Sequence, residues 1–150
     1  MAGDGDFQYA MVEDHVIALV HTERSPSDAA WEAHHALINE TVGRDRFVEM
    51  GYFVITAGGA PTARQRRLGN LQVKGRRMVR SIVTDSFFVR QLVKSWSWFA
   101  PGLSAYAPER MREALLNVGL KAEQLADVWP KIRALNAALS PPVPWVPEHL

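Results

Sequence analysis

Short apolar, β-branched runs alternate with amphipathic stretches of helical period along this chain of 150 residues, and the alternation admits few architectures. Residues 7–12 and 16–20 are apolar runs separated only by Glu13-Asp14-His15, a break that reads as a hairpin turn. Residues 52–56, 77–83 and 103–107 read as further strands, the first a buried one. Helical segments fall between them and after them. The order is thus a β-hairpin followed by α-β-α-β-α-β-α-α. That order predicts an α/β fold with a mixed, largely parallel sheet, right-handed crossovers and extra C-terminal helices. One domain is expected over residues 1–140, followed by a proline-rich tail at 141–150.

Helix boundaries carry their own signals. In "SPSD", Ser25 reads as an N-cap, Pro26 as the first helical residue and Asp28 as the end of a capping box. The helix that follows carries Trp31, Ile38 and Val42 along one stripe and stops at Gly43. Pro61 opens a second helix to about Leu68, which Gly69-Asn70 is expected to break. A third helix spans residues 86–99, capped by Asp85 or Ser86. Its core face is assigned to Phe88, Val89, Leu92, Val93, Trp96 and Phe99, and Pro101-Gly102 ends it. Pro108 starts a fourth helix that stops at Gly119. In the last helical stretch, residues 121–139, Pro130 is expected to kink or break the helix at Trp129.

A net charge of +1 hides an uneven distribution. Residues 1–49 hold ten acids against Arg24, Arg44 and Arg46. Residues 50–84 hold seven bases (Arg64, Arg66, Arg67, Lys74, Arg76, Arg77 and Arg80) and no acid. An edge built from the second segment would attract anions despite the neutral total. The absence of cysteine excludes disulfides and thiolate chemistry and suits a reducing compartment. No apolar segment approaches the ~20 residues that span a bilayer, and the acidic start is unlike a signal peptide. A cytoplasmic protein is expected.

The pattern of elements, with "HTERSPSDAAW" (21–31), "TAGGAPTARQRR" (56–67) and "SWSWFAPG" (95–102), resembles the STAS superfamily, the fold of bacterial anti-sigma-factor antagonists. It is most similar to small stand-alone bacterial STAS/SEC14-like proteins, over about residues 7–118. The resemblance implies a switch at the start of the helix after the third strand, where a partner kinase phosphorylates a hydroxyl and the partner docks. Thr62 is the matching hydroxyl, and Ala57-Gly58-Gly59-Ala60-Pro61 stands where those proteins carry an acidic-Ser-Ser-Gly signature. The SEC14-like relatives imply a lipid ligand.

The residues themselves offer two contact regions. Gly58 and Gly59 end a strand, and the helix after Pro61 supplies unpaired N–H groups. With Thr62, Arg64 and Arg67 they form a candidate anion or partner site. The segment lacks both nucleotide-binding glycine patterns, so a plain strand-to-helix turn is the competing reading. Phe87 and Trp98 lie off the third helix's core face and form a candidate hydrophobic interface. No HExxH or G-x-S-x-G motif appears, so neither catalytic nor metal-binding residues are nominated, and no cofactor is expected. Nucleic acid is disfavoured because the aromatics are not interleaved with the arginines. The expected function is a non-catalytic interaction module, a signalling regulator or self-associating scaffold. Its expected partner is a protein, a second copy of the chain included, without membrane insertion. The alternative is a binder of a phosphate or lipid headgroup at the Gly58-Gly59-Pro61 turn.

Overall fold

The computed structural model describes residues 2–42, 49–72, 75, 77–98 and 100–150. Among these, six strands form one sheet in sequential order: β1 (Ala2–Gly3), β2 (Phe7–Glu13), β3 (Val16–His21), β4 (Met50–Thr56), β5 (Met78–Val83) and β6 (Leu103–Tyr106). The β1–β2 and β2–β3 pairs are antiparallel and the rest parallel, so the sheet is mixed and the fold is α/β as expected. The helices are α1 (Asp28–Val42), α2 (Ala63–Gln72), α3 (Phe87–Trp96), α4 (Met111–Asn117) and α5 (Leu125–Ala137).

The strand order advances in one direction, so right-handed crossovers place α1, α2 and α3 on the same face of the sheet. The chain then passes to the other face, where α4 and α5 pack. The central strands alternate between the two layers. Val16, Ala18, Val20, Phe53 and Ile55 face α4 and α5, with Met111, Leu115, Val128, Ile132 and Leu135. Ile17, Leu19, Met50 and Val54 face α1, with Trp31 and Ile38. Each such side chain contributes about 1.5–3 kcal/mol on leaving water. Residues 141–150 belong to this packing: Val143 is buried, and its N–H and C=O bond the Asn136 amide at 2.8 and 3.1 Å.

Several boundaries differ from the sequence reading. The N-cap of α1 is Ser27, whose Oγ accepts from Ala30 N at 3.2 Å, while the Ser25 hydroxyl donates to the Ala60 carbonyl. The stop expected at Gly43 lies outside the described residues. α2 runs through Gly69-Asn70 without a break. Gly69 serves packing there, because a Cβ would lie 2.7 Å from His35 Nε2. α5 likewise continues through Pro130. Pro130 and Ala126 are both exposed, so the carbonyl that loses its donor faces water. The cap of α3 is Ser86, which accepts from Val89 N.

Candidate functional site

The Gly58 turn lies at the carboxyl end of β4, on the rim of the sheet. Gly58 takes φ +126°, a conformation that favours glycine, and a Cβ on Gly59 would collide with the Thr22 and Arg24 carbonyls. The turn therefore lies flat on the loop after β3. Three of its donors are used within the chain: Ala57 N bonds His21 O, Gly58 N bonds Thr56 Oγ1 and Gly59 N bonds Thr22 O, at 3.0–3.1 Å. Thr62 caps α2 through a reciprocal box: Gln65 N donates to Thr62 Oγ1, and Thr62 N donates to Gln65 Oε1. The pattern T-x-x-Q was present in the sequence and was not read as a box there.

Gln65 is buried and locks this corner. Its side-chain amide nitrogen donates to the Pro26 carbonyl and to Asp28 Oδ1, and its backbone carbonyl accepts from Trp31 Nε1. Arg64 pairs with Asp28 at 3.2 Å, and Arg67 is exposed on the same helix. Gly58, Gly59, Thr62, Arg64 and Arg67 are thus gathered on one corner. All but Gly59 reach solvent.

The histidines form a core rather than a metal site. His34 Nδ1 lies 2.6 Å from the Trp31 carbonyl, which can only accept, so this nitrogen carries the proton. Nε2 then accepts from the Tyr52 hydroxyl at 3.0 Å. Burial pushes His34 down to about 3, with the charge of His35 adding to it, while the bond to Trp31 opposes the fall. Burial lowers His21 and His35 to about 4. The His34 ring packs against Phe7, Tyr9, Trp31 and His35. Among the described residues, no cluster of three potential metal ligands occurs.

The largest departure from the sequence reading is on α3. Phe88, Leu92 and Trp96, assigned to its core face, are exposed; Val93 is buried and Val89 half-buried, and Phe99 lies outside the described residues. The candidate interface residues Phe87 and Trp98 are 68% and 86% exposed, and Phe88 is 73% exposed. The cause is topological. β6 is an edge strand of four residues, so α3 rests on a narrow shelf that accommodates only its Val89–Val93 line. The sheet below is also open: Met78, Arg80 and Ile82 of β5 and Leu103 and Ala105 of β6 are only half-buried on the α1–α3 face. In β4 the equivalent Met50 and Val54 are buried, and Tyr52, beside Arg80, is half-buried.

On the sheet's carboxyl rim, an open cleft of about 560 Å³ lies between Asp85, Arg90, Met111, Arg112, Trp145 and His149. Its acids and bases nearly balance, which gives it no preference for one charge.

No family model, curated protein or solved structure matches this chain. Among the described residues, no helix is long and apolar enough to cross a membrane.

Proposed function

We propose that the chain is a non-catalytic protein-interaction module whose principal contact surface is the uncovered part of α3, on the two flanks of its buried Val89–Val93 line. The carrying observation is the exposure of Phe87, Phe88, Leu92, Trp96 and Trp98 on or next to one ten-residue helix. Scattered surface leucines are ordinary, but four exposed aromatic rings, Phe88 and Trp96 on one flank of a short helix and Phe87 and Trp98 on the other, together present on the order of 500 Å² of apolar surface. The corner at Gly58, Thr62, Arg64 and Arg67 is a second, polar contact region. The amides of Ala57, Gly58, Gly59 and Thr62 already bond within the chain, which favours this reading over a phosphate or lipid headgroup held at the turn.

The resemblance to STAS proteins, drawn from the same element order, supports a bacterial, cytoplasmic role in signalling, with Thr62 the hydroxyl for a phosphate. Intact-mass analysis of protein purified from its own cells tests that role, and an unmodified chain under all growth conditions counts against it. The interaction reading is tested by Phe87→Ser with Trp98→Ser. The double variant should fold normally yet lose partner capture and gain solubility, and no change in either property removes the reading.

A further inference from the structure

The stretch of sequence that contains α3 is nearly of one charge. From residue 50 to residue 108 the chain holds nine bases and a single acid, Asp85. Arg80 stands among the half-buried apolar groups of β5, between Met78 and Ile82 and beside Tyr52 of β4. Its guanidinium touches the Met78 sulfur at 3.7 Å, and among the described residues no carboxylate lies within ion-pair distance of it. A cation held half out of water among apolar groups is a poor arrangement without an anion to meet it. Arg90 and Lys94 lie on the opposite flank of α3, roughly 160° around the helix from Leu92, so Arg80 is the cation of the Leu92 face.

We propose that this face receives an acidic amphipathic segment of another protein, which lays apolar side chains against Phe88, Leu92 and Trp96 and sets a carboxylate on Arg80. The inference rests on the interaction reading above and names the partner's chemistry. Charge and shape exclude the other occupants. A second copy meeting this face by two-fold symmetry would bring the same face, where residues 50–84 hold no acid, and so would offer Arg80 no carboxylate. A second copy meeting it head to tail through the acidic first segment would bring no apolar row, because no large apolar side chain is exposed among the described residues 2–42. A bilayer is flat. It reaches the crest of α3, where Gln91 and Ser95 stand, but not Arg80 and Ile82 at sheet level, about 10 Å beneath the outer helical surface.

The test places a photoreactive phenylalanine at Phe88 of the full chain in its own cells, with the same probe at Glu32 on α1 as control, and maps the crosslinked peptides. The expected product is a protein segment with Asp or Glu interleaved among apolar residues. Its yield should fall by on the order of tenfold in Arg80→Gln and by severalfold in Leu92→Ser, a surface change that leaves the fold intact. A captured segment without carboxylates, or yields indifferent to both variants, overturns the proposal and leaves the interaction reading standing. Crosslinks to the chain itself or to lipid also overturn it. No product above the Glu32 control overturns both.

Discussion

The imidazole of His35 is pressed against the backbone of Gly69, with Nε2 buried and without a hydrogen-bond partner. This contact seats α2 on α1, and it explains why a glycine sits in the middle of a helix rather than at its end. Gly69→Ala relieves helix entropy by about 1 kcal/mol but forces a Cβ to 2.7 Å from the ring, and overpacking costs about 1–3 kcal/mol. The ring is held by Trp31 and His34, so it cannot swing clear. We expect Gly69→Ala to lower the melting temperature by several degrees in calorimetry, while Gly69→Ala with His35→Ala recovers most of the loss.

The buried histidines fix the acid side of the stability curve. Their folded values, about 3 for His34 and about 4 for His21 and His35, lie below the unfolded value of 6.5. The unfolded chain therefore binds more protons between these limits. The stability is fully present above pH ~6.5 and is lost as pH falls toward ~4, by up to about 1.4 kcal/mol per pH unit for each imidazole. Urea denaturation at pH 7.5, 6.0 and 5.0 should show the decline, and His34→Gln should flatten it by about one third. A midpoint constant across that range refutes the account.

Gln65 connects the cap of α2 to the start of α1 through Pro26, Asp28 and Trp31. Gln65→Ala leaves the Pro26 carbonyl unsatisfied and removes half of the capping box. A loss of about 2–3 kcal/mol is expected by chemical denaturation, against about 1 kcal/mol for Thr62→Ala, which removes only the cap.

The tail is held by the Asn136 amide, which bonds both the N–H and the C=O of Val143. Asn136→Ala should free residues 141–150 before the rest of the chain unfolds. Faster hydrogen exchange confined to Val143, Trp145 and Val146, with early proteolytic cutting there, is the expected result. Protection unchanged from the parent chain shows that Val143 and the partly buried Trp145 hold the tail unaided.

Substitutions on the open face should separate stability from binding. Phe88→Ser, Leu92→Ser and Trp98→Ser each remove exposed side chains, so each should change folding stability by less than about 0.5 kcal/mol. Val93→Ser, one turn away from Val89 on the buried line, should cost about 2 kcal/mol or more. Equal costs at Leu92 and Val93 would place α3 deeper than the fold described here.

The order and type of the elements are local properties, and the sequence by itself determined them. Period-two and period-3.6 apolar patterns, Ser86 before α3 and Gly102 with φ +83° after it all act through neighbouring residues. The charge asymmetry was equally legible, since it needs only counting. Which apolar stripe is covered was decided by the tertiary structure alone. Phe88, Leu92 and Trp96 have the spacing of a core face, and that spacing is the same whether the helix lies over a central strand or over a four-residue edge strand. The purpose of Gly69 was hidden for a similar reason: a glycine that ends a helix and one that admits an imidazole look identical until His35 is in place. Only the assembled sheet, with β6 at its margin, leaves Arg80 half out of water beside an uncovered row of rings. Burial depends on what the rest of the chain brings alongside, and no window of sequence contains that.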